Sequence, residues 1–214
     1  MKEQDLVILL KKLTSKGRNL SLRKLAEELG MSASSVSESL ERSKKAQLVD
    51  RNKKRVNTLA LQEFMEHGLA YVFPAETGRV IRGIPAYVSA SPIKEQVANA
   101  TDQYVWRYAK GESRGQMVKP LYPSVPEAAL HDEELYQLLV IADTLRLGRA
   151  REKEIAIAEL NKHIQRYVEK EGEYYEDTGY SRALWLLFPP RLHPNLHPRN
   201  RYDAKRVGYC AKQF

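Results

Sequence analysis

The stretch from Ser21 to Val49, SLRKLAEELGMSASSVSESLERSKKAQLV, constrains the fold of this chain more than any other. Leu22, Leu25, Ala26 and Leu29 recur at the spacing of one helix face, so they are expected to pack inward while Arg23, Lys24, Glu27 and Glu28 stay in water. Gly30 follows where the chain must turn sharply, and glycine enters the left-handed backbone region without steric cost. Ser32 then caps a second helix by accepting a bond from one of its unpaired amides. In that helix, expected to reach about Ala46, Val36 and Leu40 face the first. A step of about 100° per residue turns Ser34, Ser35, Ser37, Glu38 and Arg42 outward or to the flank.

The flanks complete a small core. Asp5 to Ser15 reads as a helix with Leu6, Leu9, Leu10 and Leu13 on one stripe and Gly17 just past its end. Leu48-Val49-Asp50 and Arg55-Val56-Asn57 read as short extended pieces, with Arg51-Asn52-Lys53-Lys54 as a cationic turn between them. Asn57 can cap a further helix in which Leu61, Phe64, Met65 and Leu69 form the apolar stripe.

Ala26, Gly30 and Val36 resemble the small, turn and apolar positions of a helix-turn-helix, and the run from Val36 to Arg51 resembles a winged-helix regulator of the MarR type. The likeness covers roughly residues 5 to 57. Ser43 stands where such families usually carry leucine, which implies a looser helix end, and Gln47 where they usually carry glycine, which implies an imperfect helix stop. The net charge agrees in sign. Residues 1 to 57 hold 14 Lys and Arg against 7 Asp and Glu, and the other 157 hold 21 against 20. Displacing counterions from phosphates rewards such a concentration of cations.

Read as a DNA reader, the second helix supplies hydroxyls from Ser32, Ser34, Ser35 and Ser37, and Glu38 to accept from a cytosine amino group. Arg42 joins this DNA-facing set, Lys44 and Lys45 would add phosphate contacts, and Arg51, Lys53, Lys54 and Arg55 would reach the backbone or the minor groove beside the site. A helix so rich in serine is a poor intrinsic helix former, which suits contact better than stability.

The remainder is less regular. Between Pro74 and about Pro126 glycines and prolines are frequent and apolar residues come in short pieces, so the expectation is an irregular segment on a core, with a short strand or two. Tyr104, Trp106 and Tyr108 alternate, as a strand packed on a core or the wall of an aromatic pocket. Asp132 to Leu147, with Leu135, Leu138, Leu139, Ala142 and Leu145 on one face, and Glu152 to about Val168 read as helices separated by Gly148, a candidate antiparallel pair. Phe73 to Pro85 together with Asp132 to His163 also resembles regulators associated with neighbouring nucleotidyltransferase-type toxin genes.

Other classes find little support. No apolar run approaches the roughly 20 residues of a membrane span, and MKEQDLVILL has no basic stretch before its apolar run, so a cytoplasmic protein without a signal peptide is expected. With one cysteine, Cys210, an internal disulfide is excluded. His193 and His197 are each followed by proline, which prevents a helix from presenting both to a metal. No phosphate loop of the GxxxxGK type and no GxSxG motif is present. His131-Asp132-Glu133-Glu134 reads as the acidic start of a helix.

The expectation is therefore a mainly α chain in three parts: a winged helix-turn-helix over 1–73 with a small β-wing, a partly irregular then helical regulatory, dimerisation or partner-binding region over 74–171, and a poorly ordered basic tail over 172–214. Its expected partner is double-stranded DNA, bound as a homodimer through residues 132 to 168, with repression by operator occupancy and neither cofactor nor enzymatic activity. The alternative is an antitoxin-type protein that neutralises a partner encoded nearby and autoregulates its operon.

Overall fold

The computed structural model describes residues 1–15, 20–97 and 103–176, with side chains up to residue 168. Contacts divide the chain into two units, Met1–Glu169 and Lys170–Phe214, and the first holds nearly all of the described residues. Gly17, Cys210, His193, His197 and the expected tail beyond residue 176 lie outside the described residues.

The chain is mainly α with a small β component. Helices α1 (Glu3–Thr14), α2 (Leu22–Glu28), α3 (Ala33–Lys45), α4 (Thr58–His67) and α5 (Leu69–Val72) come first. Strands β1 (Thr77–Pro85), β2 (Tyr104–Arg107) and β3 (Ser113–Val118) come next, then α6 (Val125–Leu130), α7 (Glu133–Leu147) and α8 (Ala150–Glu176). Capping residues set several of these limits. Ser21, Ser32, Asn57 and Asp132 each accept a bond from an amide in the first turn of the helix they precede.

The centre of the unit is α7, not the N-terminal helices. Its residues from Leu138 to Arg146 are all buried, against α1, α4, α5, α6 and the short 3-10 turn Tyr87–Ser89. A one-sided stripe therefore underestimates its burial, because neighbours surround it. The same holds for α1, where Val7 and Ile8 are as buried as Leu6 and Leu9, since α3 covers one side and α7 another. Lys11 joins three elements: its ammonium lies 2.8 Å from Glu28 on α2 and 2.7 Å from Asp132 at the start of α7. Burial alone would lower the pKa of Lys11, but the two carboxylates override it and raise it. Residues 1–73 thus belong to the same compact unit as residues 74–169.

The strands β1, β2 and β3 form a closed three-stranded barrel, so the described part of the segment expected to be irregular, with a short strand or two, carries a sheet. β1 runs antiparallel to both partners, while β2 and β3 meet in parallel at Tyr104↔Gln116 and Val105↔Met117. Closing a barrel with so few strands forces backbones together. A Cβ built on Gly83 would stand 1.9 Å from the Trp106 carbonyl oxygen, and one on Gly111 2.2 Å from the Gly83 carbonyl oxygen. Those glycines are close-approach points, not loop punctuation.

Trp106, on β2, anchors the barrel to α7. It is fully buried, its ring meets Tyr136 edge-on at 5.7 Å, and its Nε1–H donates to Asp143 at 2.6 Å. Burial pushes the Asp143 carboxyl up, while Arg146 at 2.6 Å and the Trp106 N–H act against that. Arg146 also donates to the Phe73 carbonyl oxygen at 2.8 Å, so the chain entering the barrel is tied to the same helix.

One further expectation changes. α8 runs past Val168 to Glu176; Asn161 accepts from Gln62 on α4 at 2.6 Å, Glu159 accepts from Gln96 at 2.7 Å, and Glu152 accepts from the Tyr87 hydroxyl. α7 is enclosed from Leu138 to Arg146, whereas Ile155, Ile157, Tyr167 and Val168 on α8 are only partly buried. Among the described residues no helix is long and apolar enough to cross a membrane, and no group of three or more His, Cys, Asp or Glu could hold a metal ion.

Candidate nucleic-acid interface

The turn between α2 and α3 is a left-handed helix stop. Gly30 has φ +60°, its N–H donates to Glu27 O at 3.2 Å, and Met31 N–H donates to Ala26 O at 2.9 Å. That pair of bonds satisfies carbonyls the helix end would leave open. Leu25, Ala26 and Leu29 are buried as the spacing requires, but Leu22 is 45% exposed. It occupies the first position of α2, where the helix has not yet reached the core.

α3 shows two faces. Val36 and Leu40 are buried, and so are Ser39 and Ser43 beside them. Ser43, in the position where leucine was the expectation of the resemblance, has its hydroxyl buried with no hydrogen-bond partner among the described residues, yet the helix continues to Lys45. On the outer face Ser34 and Glu38 are exposed, and Ser35 and Ser37 partly so. The Ser32 hydroxyl accepts from Ser35 N–H at 3.1 Å and lies 3.0 and 2.9 Å from the hydroxyls of Ser34 and Ser35. The exposed N-terminal end of α3 is therefore a cluster of linked hydroxyls.

The helix ends as α2 does, without glycine. Gln47 has φ +60°, its N–H donates to Lys44 O at 3.0 Å and Leu48 N–H to Ser43 O at 2.9 Å. A non-glycine residue in this conformation costs roughly 1 kcal/mol. The imperfect stop is a matter of strain, since the turn itself is fully formed.

Beyond it the chain makes a hairpin with a single ladder pair, Val49↔Val56, flanked by Asp50 N–H to Arg55 O at 3.0 Å and Asn57 N–H to Leu48 O at 2.9 Å. Asp50 holds the tip: its carboxylate accepts from the amides of Lys54 at 2.7 Å and Arg55 at 3.1 Å. An aspartate opening a turn in this way is a recognisable local signal.

The cations divide into two groups. Arg42, expected to face DNA, turns inward and makes a forked contact with Asp5 at 2.7, 2.9 and 3.2 Å. Asp5 has no exposure, so Arg42 fixes α3 to α1. Burial raises the Asp5 carboxyl, but Arg42 and the Lys2 amide outweigh it and hold its pKa below the ordinary value. Lys53, also expected to reach phosphate, pairs with Glu41 on α3, which lowers the Glu41 pKa and ties the tip to the helix. Arg55 is partly buried. Lys44, Lys45, Arg51 and Lys54 are exposed around the end of α3 and the tip. Glu41 drew no notice from sequence because the 12 residues separating it from Lys53 correspond to no helical or strand spacing. The structure thus brings a hydroxyl-rich helix end, Glu38 and four exposed cations onto α3 and the hairpin after it. No protein family, curated protein or solved structure matches this chain.

Proposed function

We propose that the chain is a sequence-specific DNA-binding regulator in which α2, the Gly30 turn, α3 and the basic hairpin act as a winged helix-turn-helix. The observation that carries this reading is the outer face of α3: it is exposed and polar from Ser34 to Lys45, and its C-terminal end adjoins the hairpin through Glu41 and Lys53. A helix presented this way can enter a major groove, with Ser34, Ser37 and Glu38 at base edges and Lys44, Lys45, Arg51 and Lys54 at phosphates. Specific affinity for an operator calls for a homodimer. Tyr71 and Val72 on α5, 86% and 51% exposed, are apolar surface that can supply its interface.

Fluorescence anisotropy with a duplex from upstream of the chain's own coding sequence, titrated against salt, tests the reading. Replacing Lys44, Arg51 and Lys54 together by alanine should weaken binding to every duplex and reduce the slope of log K against log salt by about 2.7. Changing Ser34 or Glu38 should alter preference between duplexes and leave the slope as it was. An unchanged slope in the triple variant would remove the hairpin from the interface. Light scattering of a Tyr71→Ser variant tests the dimer, which should shift to monomer.

A further inference from the structure

The barrel carries a second concentration of positive charge that averaging along the chain conceals. Its three strands contain Arg79, Arg82, Arg107 and Arg114 and not one Asp or Glu. All four arginines are exposed, and none has an ion pair among the described residues. The carboxylate at the start of the barrel, Glu76, pairs with Lys119 instead, at 3.3 Å. Arg82 and Arg114 are directly opposed on β1 and β3. Like charges so placed weaken a ladder, with Cβ atoms about 5 Å apart. An anion between them would convert that repulsion into attraction.

Their bases are fixed. Each precedes a close-approach glycine: Gly83 stands against the Trp106 carbonyl, and a Cβ on Gly115 would lie 2.3 Å from Gln103 O. Guanidinium groups present a planar fork that matches phosphate oxygens, and here they project from strands whose backbones are in close contact. The aromatic rings nearby are poor stacking platforms: Trp106 is fully buried, Tyr104 packs edge-on against Tyr87 at 5.0 Å, and Tyr108 is half-buried against the core. Cations without stacking rings suit the backbone of a duplex rather than splayed single-stranded bases.

We infer that the Arg82–Arg114 pair on the barrel is a second, sequence-independent contact for the phosphate backbone of double-stranded DNA, in addition to the α3 face. This rests on the DNA-binding reading above. The test is the Arg82→Gln/Arg114→Gln double variant of the full chain, measured by anisotropy on a random-sequence duplex over a range of salt. Its slope of log K against log salt should fall by about 1.8, a loss near 30-fold at 0.15 M salt relative to a 1 M reference, with preference between duplexes unaltered. Thermal melting should be unchanged or raised, because an opposed pair of like charges is removed. A slope equal to the wild type's overturns the barrel contact and leaves the α3 reading standing. No duplex binding by the wild type at low salt overturns both. A loss confined to a single-stranded oligonucleotide, or to an acidic polypeptide such as polyglutamate, overturns the assignment to duplex.

Discussion

The N-terminal helices and the barrel are both cationic, but they use their charges differently. Among the helices, acids meet several of the cations: Asp5 takes Arg42, Glu41 takes Lys53, and Glu28 and Asp132 share Lys11. In the barrel strands four arginines make no ion pair among the described residues. A cation with a buried or fixed acid belongs to the fold, and one without is available to a ligand. Net charge along a sequence therefore does not locate the charge a partner meets.

The contrast can be broken first at the barrel's frame. Gly83→Ala places a methyl group 1.9 Å from a backbone oxygen that cannot swing aside. Denaturant unfolding should show a loss of roughly 3 kcal/mol or more; a loss within about 0.5 kcal/mol, the neutral range of surface changes, would mean the strands are not closed as described. Arg42→Ala should cost somewhat less, about 2 to 3 kcal/mol, because Asp5 stays buried without its partner while Arg42 itself is partly solvated. Its salt slope for duplex binding should equal the wild type's, which separates it from Lys44 and Lys54. A reduced slope with unchanged stability would return Arg42 to the DNA surface.

Acid sharpens the same pair. The folded pKa of Asp5 lies below its unfolded value, so its contribution is complete above about pH 5 and disappears as pH falls through the folded value. The stability gap between wild type and Asp5→Asn should therefore close on acidification below about pH 4. A gap constant down to about pH 2, well under the ordinary carboxylate range, would show the ion pair is not its source. Smaller and of opposite sign, Gln47→Gly should stabilise by about 1 kcal/mol, since glycine relieves the left-handed strain. No gain in the melting midpoint would mean that Gln47 is not strained. Least in stability, Glu41→Gln should leave the melting midpoint where it is, because water screens an exposed pair, yet steepen the salt slope by about 0.9, by freeing Lys53. An unaltered slope would mean that Lys53 stays off the phosphates even when released.

Much of the helical part was legible because its signals are local. Ser32, Asn57 and Asp132 mark helix starts, Gly30 a stop, and Leu25, Ala26, Leu29, Val36 and Leu40 keep a helical interval that burial obeys. What spacing cannot carry is pairing across distance. Arg42 sits on the flank of α3, and only Asp5, 37 residues earlier, decides that it turns inward. The barrel was illegible for another reason. Its strands are short, its arginines share them with glycines, and Gly83, Gly111 and Gly115 look the same in sequence whether they free a loop or let two backbones touch. Enclosure of α7 was hidden because one apolar stripe reveals only one neighbour, whereas α1, α5 and α6 cover further sides.

Lysine acetylation of the full chain, read by mass spectrometry with and without duplex DNA, tests the central claim most directly. With duplex present, Lys44, Lys45 and Lys54 should be protected several-fold, while Lys11, held between Glu28 and Asp132, should react equally slowly in both states. Equal labelling of Lys44, Lys45 and Lys54 with and without duplex, at salt low enough for any phosphate contact to persist, would contradict the account.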